Sequence, residues 1–234
     1  MALGDVVDSG TAGTGGGTSL SPSLAGTAAS GNLLVVCAAL ARSPSTLTGP
    51  SGYALIGESG SSGNLSYGLW WKESAGTETG ATVSWTDNGS GAVSIVEYDS
   101  AGLDLSALDA SGEDLTNEST SVTSQASGSA SNSQNTAFAV VLIAADLATG
   151  IRDGRTYSNS FVEDINQVGS NNSRAGGYIA SKVLSATGSN TTTLSSSDSG
   201  AFATGAIAVW SAAGGGGGST FQPAWAMNSN VVIQ

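Results

Sequence analysis

Short apolar runs and alternations, each closed off by turn residues, recur along this chain and set its reading. The first series falls near 18–24, 32–41, 53–58, 65–73, 81–85 and 92–99, and the second near 119–125, 135–145, 160–166, 176–185, 191–196 and 202–211. Between them stand Thr48-Gly49-Pro50-Ser51-Gly52, Asp87-Asn88-Gly89-Ser90-Gly91 and Ser197-Asp198-Ser199-Gly200. Gly and Asn accept positive φ there and Asp caps local backbone, so these separators are turns and the runs are strands. The almost wholly apolar runs 33–40 and 137–145 suit central strands buried on both faces. Their Val and Ile content and the closely following turns favour strand over helix. One short helical turn is expected over 104–111, between the two series.

The two series also resemble each other. Thr18-Ser19-Leu20 matches Thr120-Ser121-Val122, Leu33-Leu34-Val35-Val36 matches Phe138-Ala139-Val140-Val141, and Lys72 matches Lys182. Thr82-Val83 matches Thr193-Leu194, and Val93-Ser94-Ile95-Val96 matches Thr204-Gly205-Ala206-Ile207. The spacing between matches drifts toward the end of the chain, which puts the extra residues in loops. The expected fold is all-β: an antiparallel, jelly-roll-like β-sandwich over 18–213, made jointly by pseudo-repeats at about 18–99 and 119–211. Each half alone is small and has no disulfide or metal staple, so joint burial is the expected solution. Residues 1–17 read as an extended N-terminal arm. Residues 214–234, opening with five glycines, read as a linker and C-terminal docking arm.

Composition narrows the chemistry. With 6 basic and 18 acidic residues the net charge is −12, and no basic stripe is present to engage phosphates; nucleic acid and anionic membrane surfaces are not expected partners. The start of the chain shows neither a basic region nor a long apolar run, and assembly in the cytosol is the expectation. The absence of histidine removes the Ser-His-Asp and Cys-His nucleophile arrangements and the commonest transition-metal ligand. The single cysteine, Cys37, lies in an apolar run and reads as a buried thiol. The segment 13–18 lacks the lysine and helix of a phosphate loop. No cofactor, metal site or catalytic residue is expected.

Other features have bland readings. Asp99, Asp104, Asp109, Glu113 and Asp114 lack the spacing of a calcium loop and read as solvated carboxylates, although the eighteen acidic residues leave a glycosidase-like pair conceivable. Trp70, Trp71, Trp85 and Trp210 could form a sugar-stacking platform, but the adjacent Trp70 and Trp71 must point to opposite faces of a strand, and core packing is the better reading. Sequons at Asn64, Asn88, Asn117, Asn171 and Asn190 are expected by chance in so Ser/Thr-rich a chain, and Arg152 and Arg155 read as a turn border. In the C-terminal arm, Phe221, Trp225, Val231, Val232 and Ile233 are the candidate partner-docking residues. Ordering so long a segment costs more backbone entropy than those side chains return alone, so the arm needs a surface to dock on.

The series Gly31-Asn32-Leu33-Leu34-Val35-Val36, Gly52-Tyr53-Ala54-Leu55-Ile56, Leu69-Trp70-Trp71-Lys72, Val83-Ser84-Trp85 and Ile95-Val96-Glu97-Tyr98 resembles a group of β-sandwich virion structural proteins of tailed bacteriophages. The resemblance covers about residues 18–211, with Asn32 where Asp is usual and Tyr53 where Trp is usual. It implies a non-enzymatic head decoration or cement protein, bound to the major capsid protein or other virion proteins, located on the capsid surface and homo-oligomeric, with a trimer expected. The alternative it leaves open is a tail or fibre module that binds host carbohydrate through exposed Trp or Tyr.

Overall fold

The computed structural model describes residues 1–41, 46–59, 65–115, 122–146, 154–168, 175–197 and 202–213. All regular structure among them is strand. The first half contributes β1 (Val6–Thr14), β2 (Ser19–Leu20), β3 (Leu33–Ala41), β4 (Leu47–Thr48), β5 (Ala54–Ser59), β6 (Leu65–Glu73), β7 (Val83–Trp85) and β8 (Ser90–Tyr98). The second contributes β9 (Ala110–Asp114), β10 (Ser124–Ala126), β11 (Ala130–Asn132), β12 (Ala137–Asp146), β13 (Thr156–Tyr157), β14 (Val162–Val168), β15 (Ala175–Leu184), β16 (Gly188–Asn190), β17 (Thr193–Ser195) and β18 (Phe202–Ser211).

Every pairing is antiparallel. The first half forms a five-stranded sheet, β1-β8-β3-β6-β5, and a three-stranded sheet, β2-β7-β4. The second forms a five-stranded sheet, β14-β15-β12-β18-β9, a three-stranded sheet, β10-β17-β13, and the ribbon β11-β16. No named sheet mixes strands of the two halves. Each half builds its own sheets, and the two large sheets stack face to face.

Strand periodicity explains the layers. On β3, Leu33, Val35, Cys37 and Ala39 face inward to the opposing large sheet, where they meet Phe138, Val140, Leu142 and Ala144 of β12. The alternate residues Leu34, Val36, Ala38 and Leu40 face outward and are covered by Val83, Trp85 and Leu47 of the small sheet. Likewise Ala137, Ala139 and Val141 face outward from β12, and Ile143 and Ala145 pack with Leu194 of β17. Both central strands are therefore buried on both faces, as their unbroken apolar sequence requires.

Two expectations need correction. Residues 6–14 are not an arm outside the sandwich: β1 is a full edge strand laddered to β8 from Val6↔Tyr98 to Thr14↔Gly91. Its glycines allow the chain to hug its neighbour, since a Cβ on Gly10 would stand 2.0 Å from the Ser23 carbonyl oxygen. Nor do residues 104–111 form a helical turn. The Asp104 and Asp109 amides donate to the Ser211 and Val209 carbonyls, steering the chain directly into β9 against β18.

Candidate functional site

The described tryptophans provide no stacking platform. Trp70 and Trp85 belong to the outer core of the first half, while Trp71 and Trp210 meet edge to face at 5.6 Å between the large sheets. Trp70 and Trp71 do point to opposite faces, but both faces are core. Tyr67, Tyr98 and Tyr178 are fully buried as well.

The carboxylates are mostly occupied with holding the fold. Glu97, 2% exposed, accepts from the Ala29 amide at 2.8 Å and Asn32 Nδ2 at 2.6 Å. Asp109 accepts from the Ser133 amide and hydroxyl and from Ser211; its carboxyl is buried in part, but these bonds hold it below the usual range. Two tyrosine–carboxylate pairs cross between the halves. Tyr98 Oη donates to Asp164 at 2.7 Å on one side of the interface, and Tyr67 Oη donates to Glu113 on the other. Burial raises the Asp164 carboxyl above its ordinary value, against hydrogen bonds from Ser181 and Tyr98 and with repulsion from Glu163. Among the described residues no three acidic or Cys side chains gather as a metal site would require. Arg155 is committed to Glu163 through bonds of 2.8 and 2.9 Å and lies over the Tyr178 ring. Burial pushes the Cys37 thiol up to about 12 in spite of hydrogen bonding with Ser94, so it is inert.

Among the described residues, three surface depressions stand out. In the first, about 420 Å³, Lys72 lies over the Tyr53 ring at 5.5 Å and is paired with Glu78, beside Ser21, Pro50 and Thr82. Burial opposes ionisation of Glu78, yet hydrogen bonds from Lys72, Ser74 and the Thr77 backbone outweigh it and hold the carboxyl at about 2. In the second, about 330 Å³, Lys182 lies over Phe161 at 5.9 Å and donates to the Asn159 carbonyl at 2.8 Å. Asn159 and Ser160 there carry φ of 57° and 61°, a left-handed pair pinned by Lys182 and by Asn159 Nδ2 donating to the Thr191 carbonyl. Lys72 and Lys182 thus each lie over an aromatic ring. The third depression, about 530 Å³, runs between the edge strands β1 and β14, with Leu3, Val6, Val162 and Val183 around Phe138. Sequence reasoning missed it, because its residues come from four separate segments and only their exposure sets them apart.

The candidate docking residues Phe221, Trp225, Val231, Val232 and Ile233 lie outside the described residues, as do Arg152 and the sequons at Asn64, Asn117 and Asn171. No family model, curated protein or solved structure matches the chain.

Proposed function

We propose that this protein is a bacteriophage virion structural protein, a capsid decoration or cement component without enzymatic activity, folded as a jelly-roll-like β-sandwich built from two pseudo-repeats. The observation that carries the reading is the correspondence of the halves. In chain order β1, β2, β3, β4, β5, β6, β7 and β8 take the same places in their sheets as β9, β10, β12, β13, β14, β15, β17 and β18. Lys72 and Lys182 both sit opposite outward positions of a central strand, Leu34 and Ala139. On this reading the match at the last strand moves by one residue. Ile95 lies opposite Val36 and Ile207 opposite Val141, which favours matching Ile95 to Ile207 over Ala206.

The halves meet in a two-fold-like arrangement: β1 approaches β14, the counterpart of β5, while β5 approaches β9, the counterpart of β1. Such doubling gives a thick, thoroughly packed block whose aromatic side chains and buried carboxylates are spent on cohesion. That suits a building block on a particle, as does the resemblance of residues 18–211 to phage sandwich proteins. The acidic surface, net −12, would face solvent, and the 214–234 segment would engage the capsid lattice. The carbohydrate-binding alternative loses its main motive with four tryptophans in the core.

The test is copy number in purified virions, with co-sedimentation of recombinant protein on capsids. Hundreds of copies and saturable capsid binding are expected of a decoration protein. A handful of copies, or retention only on tails, refutes it. Light scattering on the isolated protein tests the trimer.

A further inference from the structure

Apart from Met1, the large apolar side chains that the described residues leave exposed sit at the flanks where the two large sheets end side by side. Val6, Val162 and Val183, exposed to 40%, 66% and 47%, ring the groove of about 530 Å³ between β1 and β14, with Phe138 as its floor. Leu55 on β5 and Leu115 just after β9 lie at the opposite flank. A groove of this size has room for large apolar side chains, and its rim leaves water against valine at three points.

We propose that this groove is the seat of the chain's own C-terminal segment, with Phe221 and Trp225 entering first. The inference concerns the free protein and stands apart from the virion reading. Register fixes where the last strand lies. Trp210 pairs with Phe138, which pairs with Val183, so Trp210 lies two strand spacings from the groove rim, about 10 Å, and the chain runs on through Ala212, bridged to Leu103, to Ala213, whose amide donates to the Gly102 carbonyl. A glycine linker of the length of 214–218 spans about 12 Å on a root-mean-square basis, of the order of that separation. Linker and gap of matched length give the following segment a high effective concentration at the groove, and intramolecular docking is favoured over capture from another copy. The chemistry agrees: residues 214–234 contain no charged side chain in a chain of net charge −12, and they carry Phe221, Trp225, Met227, Val231, Val232 and Ile233. Neither the groove's Asp5 and Asp164 nor the surrounding acidic surface repels such a segment.

The experiment is disulfide trapping in the full-length chain. Val162→Cys and Ala226→Cys place thiols at the exposed rim and beside Trp225, while native Cys37 is buried and stays out of the exchange. Leu55→Cys with Ala226→Cys is the control: the opposite flank is within reach of residues 214–226, which extended span about 45 Å, so a difference reports docking rather than length. Under mild oxidant at low protein concentration, the Val162 pair should close within the monomer about ten-fold faster than the Leu55 pair. Adding Val183→Glu, at an exposed position that leaves the fold intact, should remove that advantage. Equal rates at both flanks, or indifference to Val183→Glu, overturn the proposal. Disulfides that form chiefly between copies overturn it too and assign the groove to a second chain. Capsid co-sedimentation of the same variants tests the virion reading separately.

Discussion

A matched pair of glycine-to-alanine substitutions tests the packing on both sides of a large sheet. Gly68 lies on β6 beneath the indole of Trp70: a Cβ there would stand 2.1 Å from Trp70 Cη2 and 2.5 Å from Cζ2. The ring has little room to retreat, because a Cβ on Gly49 would stand 2.3 Å from its Nε1, and Trp70 is only 4% exposed. Gly68→Ala therefore overpacks the outer core, at a cost of about 1–3 kcal/mol. For a domain of this size each kcal/mol moves Tm by about 2–4 °C, so a fall of about 2–12 °C is expected. Gly177 on β15 faces the core between the halves, but its added Cβ would find ordinary contacts, 3.6 Å to Cys37 Sγ and 3.9 Å to Ala39 Cβ. Gly177→Ala should stabilise by about 0.4–1 kcal/mol through the unfolded chain, raising Tm by about 1–4 °C. Calorimetry or near-ultraviolet circular dichroism melts read both. A Gly68→Ala protein that melts with or above the parent would mean that the indole does not lie over β6, and the described outer core would be wrong.

Acid should destabilise the fold partly through Glu78: its native carboxyl lies at about 2 against an ordinary 4.5, so its contribution is complete above 4.5 and lost as pH falls toward 2. Glu78→Gln should flatten that limb of a Tm-against-pH profile. Asp164 has the opposite sign, because its native carboxyl is raised; the stability it contributes is complete below the unfolded value of 3.8 and lost as pH rises through the native one. Asp164→Asn, whose side-chain oxygen still accepts from Tyr98, should raise Tm at neutral pH and leave it nearly unchanged at pH 3, and a lower Tm at neutral pH would contradict the assignment. Residues 1–108 and 109–213 expressed separately should aggregate or fold poorly, since each exposes its share of the central core, yet co-expression should yield a one-to-one complex by light scattering. Soluble, cooperatively melting monomers from each half would show that the central core is dispensable.

What the sequence disclosed and what it hid divide along physical lines. The runs containing Leu33–Ala41 and Ala137–Asp146 announce themselves because both of their faces are buried, so no polar residue interrupts them. Val6–Thr14 does not, since its edge position and glycine-lined contact with residue 23 require few apolar side chains, and its hold comes from backbone ladder bonds that any sequence can make. Over Val93–Val96 both alternate faces are apolar, so apolar character fits two matches a residue apart in 204–208, and only cross-strand register distinguishes them. The groove between β1 and β14 was hidden for another reason. Its walls belong to both halves, and an exposed valine looks the same in sequence as a buried one.

The polar contacts between the halves do not follow the two-fold relation that the strands follow. Tyr98 of β8 bonds Asp164 of β14, whereas the counterpart of β8, β18, offers Trp210 at the position opposite Phe138. Tyr67 of β6 bonds Glu113 of β9, while Gly57 of β5 stands close enough to Glu113 that a Cβ would meet its Oε1 at 2.2 Å. The distinction matters because an apolar, self-complementary sheet face would pair about as well with the same half of another copy as with its covalent neighbour. Pairing like with like would set Tyr98 and Tyr67 against surfaces without Asp164 or Glu113, and each buried hydroxyl left without an acceptor costs about 1–3 kcal/mol. The same mismatch would take the Tyr98 hydroxyl from Asp164, a carboxyl already reluctant to ionise, and leave it with Ser181 of its own half. Apolar burial between the large sheets thus supplies the cohesion, and two unlike tyrosine–carboxylate pairs direct it inward, to the other half of the same chain.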